Sequence, residues 1–93
     1  MHIETTGRPA GCKLIRITAD IEEGIIRSLS IRGDFFASPE EGFETAERQM
    51  AGIAVSDAAA EFNALLKKAG VTAFGISGEG IAELLYTAME NHE

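Results

Sequence analysis

The sequence predicts an α+β fold in which an N-terminal β-hairpin, with a third short strand as an option, packs against three α-helices. Two early segments, 13–21 and 25–35, place apolar residues at every second position, which is typical of strands with one buried face. Three later segments repeat apolar residues at intervals of three and four, which is typical of helices that bury one face. We therefore expect the helices to pack on the apolar face of the hairpin.

The hairpin is the clearest local prediction. Its two segments share one apolar phase, which runs through Ile15, Ile17, Ala19, Ile21, Ile25, Leu29, Ile31 and Phe35. Polar residues, among them Arg16, Thr18 and Ser30, fall between these positions. The stretch 22–24 joins the segments, and Gly24 supplies the positive φ that a short hairpin loop with a bulge requires.

Helix-start residues divide the rest of the chain. Ser38 is expected at the N-cap of the first helix, with Pro39 at its first helical position and Glu41 completing a capping box. Gly52 is expected to end this helix. Its buried face should carry Phe43, Ala46 and Met50.

Two further helices follow. Ser56 is expected to cap the second helix, Gly70 to follow its C-terminus, and Ser77 to cap the third. The apolar positions of these helices are Ala58, Ala59, Phe62, Leu65, Leu66 and Ala69, then Ile81, Leu84, Leu85, Ala88 and Met89. The apolar segment 71–76 lies between them, and we expect it to be extended and to lie along the hairpin.

The two ends of the chain have weaker patterns. Residues 1–10 are polar and lack periodicity, so we expect a flexible N-terminal arm before a single domain that spans 11–93. Residues 91–93 are expected to fray.

Composition narrows the classes of function. The formal net charge of −7 disfavours binding to nucleic acid or to anionic membranes, and no apolar run approaches the ~20 residues of a membrane span. A single cysteine and the lack of a secretion signal favour a cytoplasmic location. Lys13, Arg16, Arg27 and Arg32 lie on the hairpin, either as a small basic island or as the solvated backs of two strands.

No catalytic or metal site is evident in the sequence. His2 and His92 lie at opposite ends without a cysteine or carboxylate at ligand spacing, and Cys12 has no neighbouring base. The loop 75–80 is similar to a phosphate-binding turn but lacks the Lys-Ser/Thr of a P-loop, and Glu79 would repel phosphate, so a capped helix start explains it better. The acidic residues of the first helix fit a solvated face: Glu40, Glu41, Glu44 and Glu47.

The order of these features nevertheless resembles a known family. The stretches 11–17, 23–26 and 31–36 read GCKLIRI, EGII and IRGDFF, and they are followed by Pro39 and by a helix that closes at 50–52. Together they resemble the accessory (C-terminal) domain of lipoate–protein ligase A over about residues 11–89, and the GDFF corner is the most specific part. Cys12 is a departure, because the family often has a second glycine there.

The resemblance implies a non-catalytic role. In this family the large catalytic domain binds lipoate and ATP, forms lipoyl-adenylate and passes the lipoyl group to an acceptor lysine. The triple-glycine lipoate loop and the adenylation lysine of that domain are not in this sequence. The chain is thus expected to be the accessory subunit of a two-part ligase, forming a heterodimer with the catalytic subunit and serving lipoyl-acceptor proteins indirectly. No activity and no cofactor are expected on this chain alone, whereas ATP, Mg and lipoate are expected on the partner.

The corner and its neighbours are the expected contact with that partner. The residues expected to dock on the catalytic subunit and cover its active site are Lys13, Arg16, Gly33, Asp34, Phe35 and Phe36. Lys13 is the best placed to approach a phosphate or carboxylate. Alternatively, Phe35 and Phe36 are core residues at the strand-to-helix junction and Asp34 caps the turn. The alternative function is an autonomous interaction module that binds a lipoyl carrier or another protein and has no ligase role.

Overall fold

The computed structural model describes residues 1–91, in which two small sheets pack with three α-helices. In chain order the elements are β1 (His2–Gly7), β2 (Ile15–Glu22), β3 (Ile25–Gly33), β4 (Phe36–Ser38), α1 (Glu40–Gln49), a 3₁₀ turn (Val55–Asp57), α2 (Ala58–Lys68), β5 (Thr72–Phe74) and α3 (Gly78–Glu90). This architecture confirms the α+β class. His92 and Glu93, and with them the predicted fraying end, lie outside the described residues. Within residues 1–91, every helix is too short or too polar to cross a membrane.

Strand β2 is the centre of the main sheet, which has the antiparallel order β1–β2–β3. Its alternate residues Ile15, Ile17, Ala19 and Ile21 are each at most 1% exposed. The side chains between them lie on the open face of the sheet, where Arg16 and Asp20 are exposed. The period-two prediction for this strand is confirmed, and its inner face is the floor of the core.

The first ten residues differ from the flexible arm that their composition suggested. His2–Gly7 pairs with β2 through six consecutive residue pairs. Ile3 is buried at 2% exposure, and Gly7 lies so close to α3 that an added Cβ would stand 2.6 Å from Leu84 Cδ2. The strand is held by hydrogen bonds to β2 and by one buried isoleucine, which is too little apolar content for a hydrophobic pattern to reveal.

The hairpin turn is tighter than expected. Glu22 pairs with Ile25, so the loop has only two residues, Glu23 and Gly24, with φ of 53° and 76°. Positive φ at both positions is the type I′ arrangement, whose twist matches that of the flanking strands. The predicted positive φ at Gly24 is confirmed.

A bulge does occur, but it lies inside the strands and not in the loop. The register shifts between Asp20 and Ile21, which leaves Arg27 as the extra residue on β3. Because an extra residue reverses the alternation of side chains, Ile26 and Ile31 are the buried residues of β3, at 0% and 1% exposure. The expected unbroken odd phase was therefore wrong for the start of this strand.

Helix α1 begins one residue later than its capping signal suggested. Pro39 occupies the N-cap position, and no side chain caps the helix, so the predicted Ser38–Glu41 capping box does not form. The predicted inner face is confirmed, since Phe43, Ala46 and Met50 are at most 7% exposed.

Glu47 was expected on the solvated face of α1, but it turns toward β3. Its side chain is only 12% exposed, and its Oε2 accepts a hydrogen bond from the backbone N–H of Ile31 at 2.7 Å. The carboxylate thereby satisfies a backbone group on the free edge of β3. The other acidic residues of this helix are exposed: Glu40, Glu41 and Glu44.

Helix α2 starts after the 3₁₀ turn, so Ser56 lies within that turn and does not cap the helix. The end of the helix is as predicted. Gly70 has φ of 70°, its N–H bonds the Lys67 carbonyl, and the Val71 N–H bonds the Leu66 carbonyl, which is a Schellman closure. The segment that follows is extended as expected, but β5 pairs with β4 and not with the hairpin.

Helix α3 completes the core. Ser77 caps it, because the Ser77 Oγ accepts a hydrogen bond from the Gly80 N–H at 3.1 Å. Its side chains Ile81, Leu84 and Leu85 are buried, as the sequence predicted. Helices α2 and α3 approach closely, since a Cβ at Gly78 would collide with the backbone carbonyl of Ala59.

Candidate functional site

The predicted docking residues lie where the main sheet meets the β4–β5 ribbon. The segment 13–14 is bonded on both sides: the Lys13 N–H donates to the Gly75 carbonyl at 2.9 Å, and the Asp34 N–H donates to the Leu14 carbonyl at 2.9 Å. The first bond joins the segment before β2 to the residue after β5. The second joins the same segment to the residue after β3. The sheet end and the ribbon are thus held in one arrangement.

Two glycines permit this junction. Gly33 has φ of 152°, and a Cβ there would collide with the Leu14 carbonyl and approach Ile15 Cα to 3.0 Å. Gly75 has φ of 83°, and its bare Cα leaves room for Lys13, whose Cγ would stand 2.5 Å from an added Cβ. Both positions need glycine for conformation and for space.

The two phenylalanines of the GDFF corner have different environments. Phe35 is half-buried and its ring centroid lies 5.2 Å from that of Phe43, which in turn meets Phe62 edge-on at 6.0 Å. Phe35 therefore belongs to an aromatic row in the core, as the alternative interpretation held. Phe36 is 59% exposed and points away from this row.

Phe36 has an exposed aromatic neighbour that was not among the predicted docking residues. Phe74 lies directly opposite Phe36 across the β4–β5 ribbon and is 67% exposed. Ala37 and Ala73 occupy the other face of the ribbon and pack on the core. The available signal was the alternation of Thr72, Ala73 and Phe74, which places the aromatic residue in the outward phase.

Basic residues gather at the same end of the main sheet. Arg16 and Arg32 are directly opposite each other on β2 and β3, and both are exposed. Lys13 precedes β2, and Arg8 follows β1, whose last residue pairs with Ile15. Four of the eight basic residues therefore lie at this end. Arg27 lies near the hairpin turn at the other end and is not part of the group.

Like charges directly opposite one another destabilise a sheet, and the structure offsets this only in part. Arg32 donates from Nη1 to the Ile31 carbonyl at 2.9 Å, and this nitrogen is 3.7 Å from Glu47 Oε2. Its side chain remains 72% exposed, so an anionic group can reach it. Beside it, a shallow cleft of about 280 Å³ runs between β3 and α1, with Phe35 and Phe43 among its lining residues.

In the loop 75–80, which is similar to a phosphate-binding turn, side chains of the chain itself bond the backbone N–H groups. Asn63 Oδ1 accepts a hydrogen bond from the Gly78 N–H at 2.8 Å, and Ser77 Oγ takes the Gly80 N–H. Asn63 Nδ2 also donates to Glu79 Oε1 at 2.9 Å, and this bond lowers the pKa of that carboxyl. The prediction of a capped helix start is confirmed.

The remaining polar clusters of residues 1–91 lack a catalytic arrangement. His2 Nδ1 lies 2.8 Å from Asp20 Oδ1, and Ser28 Oγ donates to the other oxygen of Asp20 at 3.0 Å. The hydroxyl thus contacts the carboxylate and not the imidazole that would have to activate it. Cys12 Sγ is 3.7 Å from Ser77 Oγ. Among residues 1–91, no group of three or more His, Cys, Asp or Glu side chains could hold a metal ion.

Comparison with known proteins adds one informative similarity. No protein-family model matches the sequence, and no curated protein matches it. Among solved structures, a chain from a structural analysis of an archaeal lipoylation system matches with a TM-score of 0.70 and 27% identity. That work describes a bipartite lipoate protein ligase and its E2 lipoyl domain from Thermoplasma acidophilum. This chain is similar to a component of a lipoylation system.

The similarity extends over almost the whole of both molecules. It covers 91% of this chain and 97% of the matched chain, so the two have nearly the same length. A lipoylation-related role is therefore supported by the fold together with the sequence.

Proposed function

We propose that this chain is the non-catalytic accessory subunit of a two-part lipoate–protein ligase. It is required, with the catalytic subunit, for ATP-dependent formation of lipoyl-adenylate before the lipoyl group passes to acceptor-protein lysines. The observation that carries the proposal is the similarity, along nearly the full length of both chains, to a chain from a structure of a bipartite lipoate protein ligase and its lipoyl domain. ATP, Mg and lipoate would bind to the catalytic subunit.

The exposed aromatic pair is the proposed anchor for that subunit. Large exposed apolar side chains that lie side by side favour protein–protein contact, and Phe36 and Phe74 are more exposed than the other large apolar residues described, at 59% and 67%. Covering both rings would remove on the order of 200 Å² of apolar surface from water, a gross gain of about 5 kcal/mol. Costs of association reduce this figure, but it is enough to make the pair a binding hot spot.

The basic sheet end supplies the electrostatic part of the proposal. Lipoate and ATP are both anions, and their reaction is favoured by cations nearby and by exclusion of water from the mixed anhydride. Lys13 lies over Gly75, the residue after β5, and so stands beside the aromatic pair. Docking through Phe36 and Phe74 would carry Lys13 to the partner's surface, with Arg16 and Arg32 behind it. Gly33 and Asp34 would act by fixing this geometry.

The test is lipoate-dependent pyrophosphate release by the matching catalytic subunit, with and without this chain. We expect activation only when both are present. A variant carrying Phe36→Ser and Phe74→Ser should need at least a tenfold higher concentration for the same rate. Tyr86→Ser is the matched control, because Tyr86 is an aromatic residue of α3 with 44% exposure, and it should behave as wild type. Lys13→Ala should lower the maximal rate and leave the subunit affinity nearly unchanged.

Two results would contradict the proposal. One is equal pyrophosphate release by the catalytic subunit alone, which would favour the alternative of an interaction module without a ligase role. The other is tight binding of lipoate or ATP to this isolated chain in calorimetry, since both ligands belong on the partner.

A further inference from the structure

Strand β1 forms a lateral edge of the main sheet, and no residue within 1–91 bonds its outward backbone groups. Met1 and Ile21 exchange two hydrogen bonds of 2.8 Å. Bonded and non-bonded pairs alternate in an antiparallel ladder, so the backbone groups of His2, Glu4 and Thr6 face away from β2. Among the residues described, 1–91, none of these three N–H and three C=O groups has a hydrogen-bond partner.

The opposite edge of the same sheet is covered. Along β3, Ile26 donates to the Ile53 carbonyl at 2.9 Å and accepts from the Gly52 N–H at 2.7 Å. Beyond the bulge, the outward N–H of Ile31 is bonded by the Glu47 carboxylate. Proteins commonly block sheet edges with such contacts, or with lysine, proline or bulges. Strand β1 has none of these devices, so among residues 1–91 the β3 edge is blocked at two points and the β1 edge at none.

A groove accompanies the open edge. It has a volume of about 330 Å³ and runs between β1 and the last turns of α3, where Thr87, Ala88 and Asn91 form its far wall. An open strand edge beside a helix is a geometry that accepts an extended peptide, because the edge supplies backbone hydrogen bonds and the groove accepts alternate side chains.

The charge of this surface specifies its occupant. Helix α3 has glutamates and no lysine or arginine. Glu83 and Glu90 are exposed and lie four residues before and three residues after Thr87, hence beside the groove wall. On the strand, the Glu4 side chain is 75% exposed, and its Oε2 lies 3.5 Å from His2 Nε2, so most of this carboxylate is still accessible to a second cation. A second copy of this chain would place these carboxylates against their equivalents, whereas a basic strand would complement them.

We propose that β1 is a docking edge for an extended, lysine- or arginine-bearing segment of a partner protein, which joins the sheet as a fourth strand. The site lies on the β1 side of the sheet, whereas the β4–β5 ribbon that carries Phe36 and Phe74 (the aromatic ribbon) lies beside α1. It does not depend on the accessory-subunit role.

Amide-resolved NMR titration of the full chain with the peptide acetyl-KTKTKT-amide tests the proposal. We expect saturable shifts confined to β1 and the facing side of α3, with a Kd on the order of 1 mM, typical of a short strand without deep pockets. The acidic peptide acetyl-ETETET-amide should bind at least tenfold more weakly. Equal shifts with both peptides, or no shifts with either, would overturn it.

Glu4→Pro is the decisive variant. It removes an outward N–H and leaves the hydrogen bonds between β1 and β2 in place, so we expect at least tenfold weaker binding with an unchanged spectrum for β2 and β3. Glu22→Ala, which removes a charge beside the hairpin turn, should bind as wild type. Glu4→Lys keeps every N–H and should reduce the preference for the lysine peptide, a readout that stands if the proline variant does not fold.

If Glu4→Pro bound the lysine peptide with wild-type affinity, β1 would not be the docking edge. A concentration-dependent dimer of the free chain that Glu4→Pro abolishes, seen by sedimentation, would show that a second copy occupies the edge and would likewise overturn the proposal.

Discussion

Glu47 offers the sharpest test of how this fold is held together. Its carboxylate is the partner of the Ile31 N–H at 2.7 Å, on a strand edge that is otherwise closed only near Ile26. Removing it in Glu47→Ala leaves a backbone donor in a site where the side chain was only 12% exposed. The loss should therefore resemble that of a buried, charge-assisted hydrogen bond and not that of a surface charge.

The magnitude follows from separating the two contacts of this carboxylate. A hydrogen bond to a charged group contributes about 1.5–3 kcal/mol. The approach to Arg32 is 3.7 Å, and the arginine is 72% exposed, so this ion pair adds at most about 0.5 kcal/mol. We expect Glu47→Ala to lower the free energy of unfolding by about 2 kcal/mol and Glu47→Gln, which keeps an acceptor oxygen, by about 1 kcal/mol.

Urea unfolding followed by circular dichroism measures these differences, and Glu44→Ala on the exposed side of the same helix is the matched control. Hydrogen exchange adds a site-specific readout, because the Ile31 amide should exchange faster in Glu47→Ala while the Ile17 amide on the central strand follows global stability. If Glu47→Ala matched Glu44→Ala in stability, or left Ile31 exchange unchanged relative to Ile17, the assigned role of this carboxylate would be wrong.

Two further predictions concern the junction and the open face of the sheet. Gly33→Ala should cost about 3 kcal/mol or prevent folding, since its Cβ would collide with backbone at a φ of 152°, whereas Gly52→Ala, at φ of 93° in open space, should cost about 1 kcal/mol by thermal unfolding. The hydrogen bond to Asp20 raises the pKa of His2 above 6.5, so the stabilisation from this pair is complete below that pH and is lost as pH rises through the folded-state pKa. As the pH is raised from about 6 to about 9, the Tm of wild type should therefore decrease relative to the Tm of His2→Gln. A Tm difference that does not change over this range would rule out a contribution from the pair.

The elements that the sequence predicted well are those in which one local rule decides the outcome. Strand β2 alternates without interruption, and each of its predicted inner residues is buried. Gly70 closes α2 and Ser77 caps α3 because backbone groups at helix ends need partners within a few residues. In both cases the required partner is nearby in the sequence.

The predictions that failed concern residues whose structure is determined by contacts with residues distant in the sequence. Strand β1 forms because β2 presents an unpaired edge, which no property of residues 2–7 reveals. In the sequence, Glu47 cannot be distinguished from the exposed glutamates of the same helix. Its role depends on the Ile31 N–H of β3, which lies beside it only in the folded chain. Among the docking candidates, Phe35 and Phe36 are adjacent and chemically identical, yet only α1 determines that Phe35 packs on Phe43 and that Phe36 faces solvent. Phe74 enters the same surface only through the pairing of β4 with β5.

The distribution of charge gives this small domain two surfaces of opposite character. Arg16 and Arg32 oppose each other at the sheet end that adjoins the aromatic ribbon, whereas β1 and α3 carry exposed glutamates beside an open strand edge. A chain with a net charge of −7 repels acidic partners at long range, so only a local concentration of arginine and lysine can favour contact with an anionic site. That concentration coincides with the two most exposed phenylalanines and with the glycines that fix the junction. The same overall charge attracts basic segments to the other side, where backbone hydrogen bonds rather than aromatic rings would provide the affinity.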